Sequence, residues 1–175
     1  MTFQINHPLS ADASFVAEVT DLVNEVYAVA EKGMWLDGTD RATPGEIAGL
    51  IAVGRLVVAR DPGGELVGAM QLQRLPTGEG ELGMLVAHPQ RRGAGIGKDL
   101  ISYGESWART QGLTTMQLEL LYPSTWTHPV KKFLYDWYTR LGYQVIGAGD
   151  LADDYPELVS RLATPCDFLI FHKAL

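Results

Sequence analysis

A glycine-rich segment between a predicted strand and a predicted helix places the strongest constraint on the fold. Residues 88–100 read HPQRRGAGIGKDL, with glycine at 93, 95 and 97. Glycine loses more conformational freedom on folding than any other residue, so three in one turn predict a tight connection or a ligand close to the backbone. The predicted strand before the segment (80–87) and the alternating strand after it (114–121) form a βαβ unit, whose strands are parallel.

Short turns join predicted strands at 55–60, 65–74 and 80–87, so these three strands are expected to pair antiparallel. Further strands are predicted at 3–6, 143–148 and 167–172. Helices are predicted after an N-cap at Ser10, after the capping box Thr43–Glu46, at about 95–111, after His128 and near 155–163. We therefore predict one α/β domain over residues 1–175. It has a mixed, mainly antiparallel sheet of six or seven strands, flanked by helices, with one parallel βαβ crossover.

The composition excludes several classes of protein. The net charge is −7 and the pI about 5.0, which disfavours nucleic acid as a partner. A single cysteine, Cys166, allows neither an intramolecular disulfide nor a cysteine-based metal cluster, and no metal is expected. The opening MTFQINHPLS resembles no secretion signal, and no apolar run nears the roughly 20 residues of a membrane span. We expect a cytoplasmic protein with no membrane partner.

Two common phosphate-binding motifs fit the glycine segment poorly. A P-loop needs GxxxxGK[ST], whereas Gly97-Lys98 follows Gly93 one residue too soon and precedes Asp99. A dinucleotide fingerprint needs GxGxxG and an acid about 20 residues on, and Glu119 lies near that distance. The spacing here is GxGxG, and only one βαβ unit is predicted. A dinucleotide-binding domain stays open as an alternative.

A third pattern, QxxGxG after a strand, is matched from Gln90 to Gly95, and WYTRLGY (137–143) provides a second motif downstream. With these two motifs the chain resembles the GNAT superfamily of N-acetyltransferases. The resemblance implies a GNAT-like sheet and acetyl-CoA (coenzyme A) as co-substrate. It also implies direct transfer of the acetyl group to a primary amine, which we predict belongs to a small molecule. A homodimer is left open.

The resemblance assigns the coenzyme to the glycine segment and to the strand before it. Amides at the start of a helix lack intrahelical partners and suit a pyrophosphate, and arginines add positive charge. Leu85 and Ala87 would pair with the pantetheine arm, next to a bulge that parts their strand from the one at 115–121. Relatives often carry asparagine where this chain has Lys131. The predicted cofactor-binding residues are Leu85, Val86, Ala87, Gln90, Arg91, Arg92, Gly93, Ala94, Gly95, Ile96, Gly97 and Lys131.

The reaction requires a neutral amine, a donor for the thioester oxygen and an acid for the leaving thiolate. By resemblance, the Leu85 amide is the oxygen's donor and Tyr138 is the acid. A helical wheel places Tyr138 at the edge of an apolar stripe and Tyr135 toward solvent. Glu81 and Glu119 are both candidates for the base.

The acceptor site is implied to lie between the loop at 34–42 and the segment at 147–166. Trp35, Asp37 and Asp40 in that loop are candidates to recognise a cationic acceptor. The alternative from another class is a catalytically silent domain that binds or senses acyl-CoA. Such a domain would keep the glycine segment without needing the acid.

Overall fold

A computed structural model describes residues 2–175. The strands are β1 (Gln4–Asn6), β2 (Leu56–Arg60), β3 (Leu66–Arg74), β4 (Gly80–Ala87), β5 (Thr115–Pro123), β6 (Gln144–Gly149) and β7 (Cys166–Ala174). The α-helices are α1 (Ala13–Ala30), α2 (Pro44–Ala52), α3 (Ile96–Thr110), α4 (Pro129–Arg140), α5 (Leu151–Asp154) and α6 (Pro156–Val159). A 3₁₀ turn, Pro89–Arg91, precedes α3. None of the helices within residues 2–175 has the length and apolar character needed to cross a membrane.

The strands form one sheet in the order β1-β2-β3-β4-β5-β7-β6. Neighbouring strands are antiparallel except β4 and β5, which are parallel and connected through α3. The predicted mixed, mainly antiparallel sheet with one βαβ crossover is therefore confirmed. Because β7 returns between β5 and β6, β6 forms one edge of the sheet.

The two faces of the sheet carry separate hydrophobic cores. Helices α1 and α2 pack on one face, against Val58, Ala69 and Val86. Helices α3 and α4 pack on the other face, around Leu118 and Phe171. A third, smaller cluster joins the loop after α1 to α5 and β7. The helices of the two layers are thus separated by the sheet wherever its strands are paired.

Some predicted local features differ from the structure. The N-cap of α1 is Asp12 rather than Ser10, because the Asp12 side chain accepts a hydrogen bond from the Ser14 N–H at 2.8 Å. The helix predicted near 155–163 is replaced by the two short helices α5 and α6. The capping box at Thr43 is confirmed.

The buried face of α4 also differs from the predicted stripe. Lys131 and Tyr138 are buried, whereas Phe133, expected in the core, is 56% exposed. The predicted stripe contains apolar side chains only, whereas the helix turns an ion-paired lysine and a tyrosine inward. Tyr135, predicted to face solvent, is half-buried against Phe171 and Tyr122.

Candidate active site

Strands β4 and β5 part after three paired residues, Gly80–Leu82 with Met116–Leu118, whereas β5 pairs with β7 along its whole length. The cause is a β-bulge, in which Met84 and Leu85 face the single residue Met70 on β3. Met84 has φ 49°, the only positive φ at a non-glycine position in residues 2–175. A bulge bends and twists its strand. The resulting gap between residues 83–87 and 119–123 is called the splay below.

The splay leaves one edge of β4 without a strand partner in the described chain. The His88 N–H donates to the Val67 carbonyl at 2.8 Å, and Val86 pairs with Ala69. Because backbone groups alternate sides along an antiparallel strand, those of Ala87 point away from β3, toward β5. Leu85 lies in the bulge that borders the same gap. The strand predicted to hold the pantetheine arm therefore has a free edge.

The glycine segment continues from this edge into α3. Gly93 and Gly95 have φ 83° and 87°, and a Cβ at either position would meet no atom within 4 Å. Both glycines are therefore needed for backbone conformation and leave open space beside it. In residues 2–175, α1, α2 and α4 have N-terminal side-chain caps, whereas no side chain caps α3. The first amides of α3 are free to bind an anion.

Two predicted coenzyme residues have structural partners that the sequence did not indicate. The Arg91 guanidinium contacts Asp61 at 3.0 Å and Glu65 at 2.7 Å, beside the turn between β2 and β3. The positive charge of Arg91 is therefore compensated by two carboxylates of the fold, whereas Arg92 is exposed, and their contacts with the coenzyme stay predictions. A Cβ at Gly97 would lie 3.0 Å from the Trp137 ring, so this glycine also allows α3 to pack against α4.

Tyr138 lies in the core on the α4 side of the sheet. Its ring packs against Trp137, Tyr143 and Phe171, and only 6% of the residue is exposed. Burial, with a smaller contribution from Tyr27 on α1, raises the pKa of Tyr138. The hydroxyl is therefore protonated at neutral pH, the form that an acid requires.

The two candidate bases lie on the sheet face covered by α1 and α2. Glu81 accepts hydrogen bonds from Gln73 at 2.7 Å and Gln117 at 3.0 Å. Glu119, one residue beyond the last β4–β5 pair, accepts one from the Tyr155 hydroxyl at 3.0 Å. Burial and the charge of Glu81 raise the pKa of Glu119. Glu119 has both the position and the raised basicity expected of a base beside the splay.

Lys131 does not lie with the other predicted coenzyme residues. Its ammonium is buried and contacts the Glu31 carboxylate at the end of α1 at 2.7 Å. The coenzyme contact predicted for Lys131 stays a prediction, and the structure places its ammonium in the ion pair with Glu31. Burial lowers the pKa of Lys131. Burial alone would raise the pKa of Glu31, but Lys131 and Arg41 lower it.

A cavity of about 350 Å³ lies beside the end of α1. Trp35, Asp37 and Asp40, the predicted acceptor residues, all line it. The two predicted walls are joined, because the Leu36 N–H donates to the Arg161 carbonyl and the Ala163 N–H to that of Met34. We call this space the acceptor cavity.

Three residues of the acceptor cavity were missed from the sequence. Glu31, Tyr27 and Arg41 line the cavity, and the Glu31 carboxylate contacts Arg41, Lys131 and the Trp35 indole N–H. Arg41 lies inside the predicted loop, so its position was a usable signal. Glu31 looks like an ordinary acid at the end of a helix.

The profile of the Acetyltransferase (GNAT) family matches residues 21–143, more than half of the chain. The chain therefore belongs to this family, and the enzyme class predicted from its motifs, an acyltransferase, is confirmed. Among curated proteins, no sequence matches the chain.

Solved structures share the fold at low sequence identity. The PaiA N-acetyltransferase of Thermoplasma acidophilum, in complex with coenzyme A, has a TM-score of 0.73, 14% identity and 100% coverage of both chains. A GNAT acetyltransferase of Staphylococcus aureus Mu50 has a TM-score of 0.69, 16% identity and 99% coverage of both chains. Nourseothricin acetyltransferase has a TM-score of 0.54 and 19% identity. That match covers 68% of this chain and 64% of the chain of that protein.

Proposed function

We propose that this protein transfers an acetyl group from acetyl-CoA directly to a primary amine of a small molecule. The observation that carries the proposal is the splay, whose free β4 edge is followed, through the glycine segment, by the uncapped N-terminus of α3. A strand edge suits the amide-bearing pantetheine arm, and free helix amides suit a pyrophosphate. The names of the solved N-acetyltransferases above support the same reaction.

The donor is held by backbone more than by side chains in this proposal. The N–H groups from Gly95 to Lys98 face the pyrophosphate, whereas those of Gln90, Arg91 and Ala94 are bonded within the turn. Gly93 and Gly95 keep the approach clear. Arg92 adds positive charge, while Arg91 braces the loop against Asp61 and Glu65. Ala87 and Leu85 align the thioester arm along β4, and the Leu85 amide donates to the thioester oxygen as charge develops on it.

The acceptor amine reaches the thioester from the α1 side of the sheet. Glu119 accepts the proton that the ammonium must lose, directly or through one water. Glu81 sets the basicity of Glu119 through its charge, and both of its oxygens are already engaged by glutamine amides. The neutral nitrogen then forms a bond to the thioester carbon, and the carbon–sulfur bond breaks. Tyr138 protonates the departing thiolate from the other side. The nitrogen gives up its second proton to water, and Tyr138 regains its own proton from water, so that a neutral amide and a free thiol remain.

Calorimetric titration with coenzyme A tests the donor site. Gly95→Asn keeps a residue that tolerates positive φ, and Gly95→Asp adds a charge that α3 itself accommodates at its N-terminus. We expect tenfold or greater weakening for Gly95→Asn and no measurable binding for Gly95→Asp. Gly112→Asn, with φ 72° and open space at the far end of α3, is the matched control and should bind normally. Wild-type affinity in a folded Gly95→Asp variant would exclude this site.

Release of free thiol from acetyl-CoA in the presence of an amine panel tests the reaction. The wild type should release thiol only with particular amines. A domain that merely binds acyl-CoA would bind the coenzyme and release none with any amine.

A further inference from the structure

Arg41 is held rigidly in the acceptor cavity. Its guanidinium lies between two aromatic rings, 4.9 Å from the centroid of Tyr27 and 4.5 Å from that of Trp35. Its Nε lies 2.8 Å from the Glu31 carboxylate, a charge contact whose angle does not suit a hydrogen bond. A cation fixed between rings has already lost most of its side-chain freedom, so a ligand that binds it incurs little further entropic cost.

The terminal amino groups of Arg41 have no hydrogen-bond partner among residues 2–175. Its Nε is buried, but the terminal groups are not, and one fifth of the side chain is exposed. Asp37 and Asp40 line the same cavity yet form no ion pair with Arg41 within the described chain. The guanidinium therefore presents its paired donors, unoccupied, at the cavity wall. That arrangement matches the two oxygens of a carboxylate.

The charges next to Arg41 favour an anion, although Glu31, Asp37 and Asp40 give the lining of the whole cavity more carboxylates than cations. Glu31 is the single buried carboxylate that contacts both Lys131 and Arg41. Arg41 therefore shares its counter-ion with a second cation. A partly buried cation that shares one carboxylate with a second cation is incompletely neutralised, and the carboxylate of a ligand would complete the neutralisation.

We propose that the acceptor is a small amine that also carries a carboxylate, and that Arg41 binds this carboxylate. The inference rests on the proposed function and specifies its substrate class. The volume of about 350 Å³ suits a molecule of amino-acid size. Tyr27, on α1, lines the cavity and is close enough to Tyr138 to affect its pKa, so the cavity adjoins the region where Tyr138 would act.

Matched acceptors test the inference directly. Each common amino acid, β-alanine and 4-aminobutyrate would be compared with its own carboxamide, which keeps the amine and removes the charge. The α-carboxamides have the less basic amine, so amine reactivity alone favours the amide. At least one carboxylate should have a kcat/KM about thirtyfold above that of its amide, the effect of one good charge-assisted pair.

Variants assign the preference to Arg41. Arg41→Gln should raise KM for the carboxylate about thirtyfold, change kcat little and remove the preference over the amide, with unchanged coenzyme A affinity. Arg41→Lys should retain only part of the preference for the carboxylate, because an ammonium cannot donate the same pair of parallel hydrogen bonds. Arg60→Gln is the control, because Arg60 also stacks on an aromatic ring, that of Phe15, but lies outside the cavity.

Each other outcome overturns the inference. An enzyme that acetylates amines without preferring carboxylates leaves the proposed function intact and excludes this substrate class. A panel in which no amino carboxylate is acetylated also excludes this substrate class. The titration with coenzyme A then tests the donor site of the proposed function separately. A preference that survives in Arg41→Gln assigns carboxylate binding elsewhere. If Arg41→Gln does not fold, the wild-type comparison decides alone.

Discussion

The Lys131 ammonium lies 2.7 Å from the Glu31 carboxylate, although α4 and α1 pack on opposite faces of the sheet. Side chains from the two layers can meet where no paired strands lie between them, in a gap of the sheet or beyond the ends of its strands. The pair therefore ties the two layers together beside the acceptor cavity.

Removing the two partners of this pair should have unequal effects on stability. Glu31→Gln leaves Lys131 buried without a counter-ion and should lower the free energy of unfolding by about 3–5 kcal/mol. Lys131→Met should cost less, because Glu31 keeps Arg41 and the Trp35 N–H. The double variant should be more stable than Glu31→Gln alone. Urea unfolding of all three provides the measurement, and equal losses in the two single variants would contradict this account.

The same pair predicts a pH dependence of stability. Because the folded-state pKa of Glu31 is lowered, its stabilising contribution is complete above the ordinary glutamate pKa of about 4.3 and is lost as the pH falls below it. Over that acidic range, the free energy of unfolding should fall more steeply in the wild type than in Glu31→Gln. Parallel slopes would mean that Glu31 is not held ionised by its partners.

Local signals explain why the order of elements could be predicted. The capping box at Thr43, the His128-Pro129 helix start and the glycine after α3 each act within a few residues. The site depends on distant partners instead. Lys131 meets a residue 100 positions away, and Arg91 meets carboxylates 26 and 30 positions away, which periodicity cannot detect.

The splay illustrates the same limit within one strand. Family resemblance predicted a bulge in β4, but the letters LGMLVA do not show that Met84 takes the positive φ. Methionine gives no local preference for that conformation, so packing and pairing of the surrounding strands must impose it.

Substitution of Arg91 and of Arg92 should have different effects on coenzyme binding. Arg92→Ala should weaken coenzyme A about three- to tenfold and leave a pantetheine analogue without pyrophosphate unaffected, because a charge-assisted phosphate contact is lost. Arg91→Ala should weaken both ligands alike, since it loosens the loop from Asp61 and Glu65. Calorimetry with the two ligands distinguishes these effects. If Arg91→Ala selectively weakened coenzyme A, its side chain would act on phosphate after all.

The pH profile of kcat/KM should identify the base. Because burial and Glu81 raise the pKa of Glu119, the rate should rise with pH at a midpoint above that of an ordinary glutamate. Glu81→Gln removes a like charge and should move the midpoint down. Tyr155→Phe removes a hydrogen bond that favours the carboxylate and should move it up. Glu119→Gln should abolish this rise of kcat/KM with pH and slow turnover by about 10²–10⁴. A midpoint that is the same in Glu81→Gln, in Tyr155→Phe and in the wild type would assign the rise to a group other than Glu119.

Tyr138→Phe tests the acid, because it preserves ring packing against Trp137, Tyr143 and Phe171 and removes only the hydroxyl. Affinity for acetyl-CoA should barely change, since the proton is needed as the carbon–sulfur bond breaks. Turnover should fall by about 10²–10⁴ when chemistry limits the rate. Tyr135→Phe, on the same helix, is the matched control and should be near neutral. A coenzyme thiolate leaves readily if its pKa is near the ~8.5 of cysteine, so water is the competing proton donor. The loss should therefore shrink with acceptors whose nitrogen attack limits the rate, and a wild-type rate with every acceptor would remove Tyr138 from the mechanism.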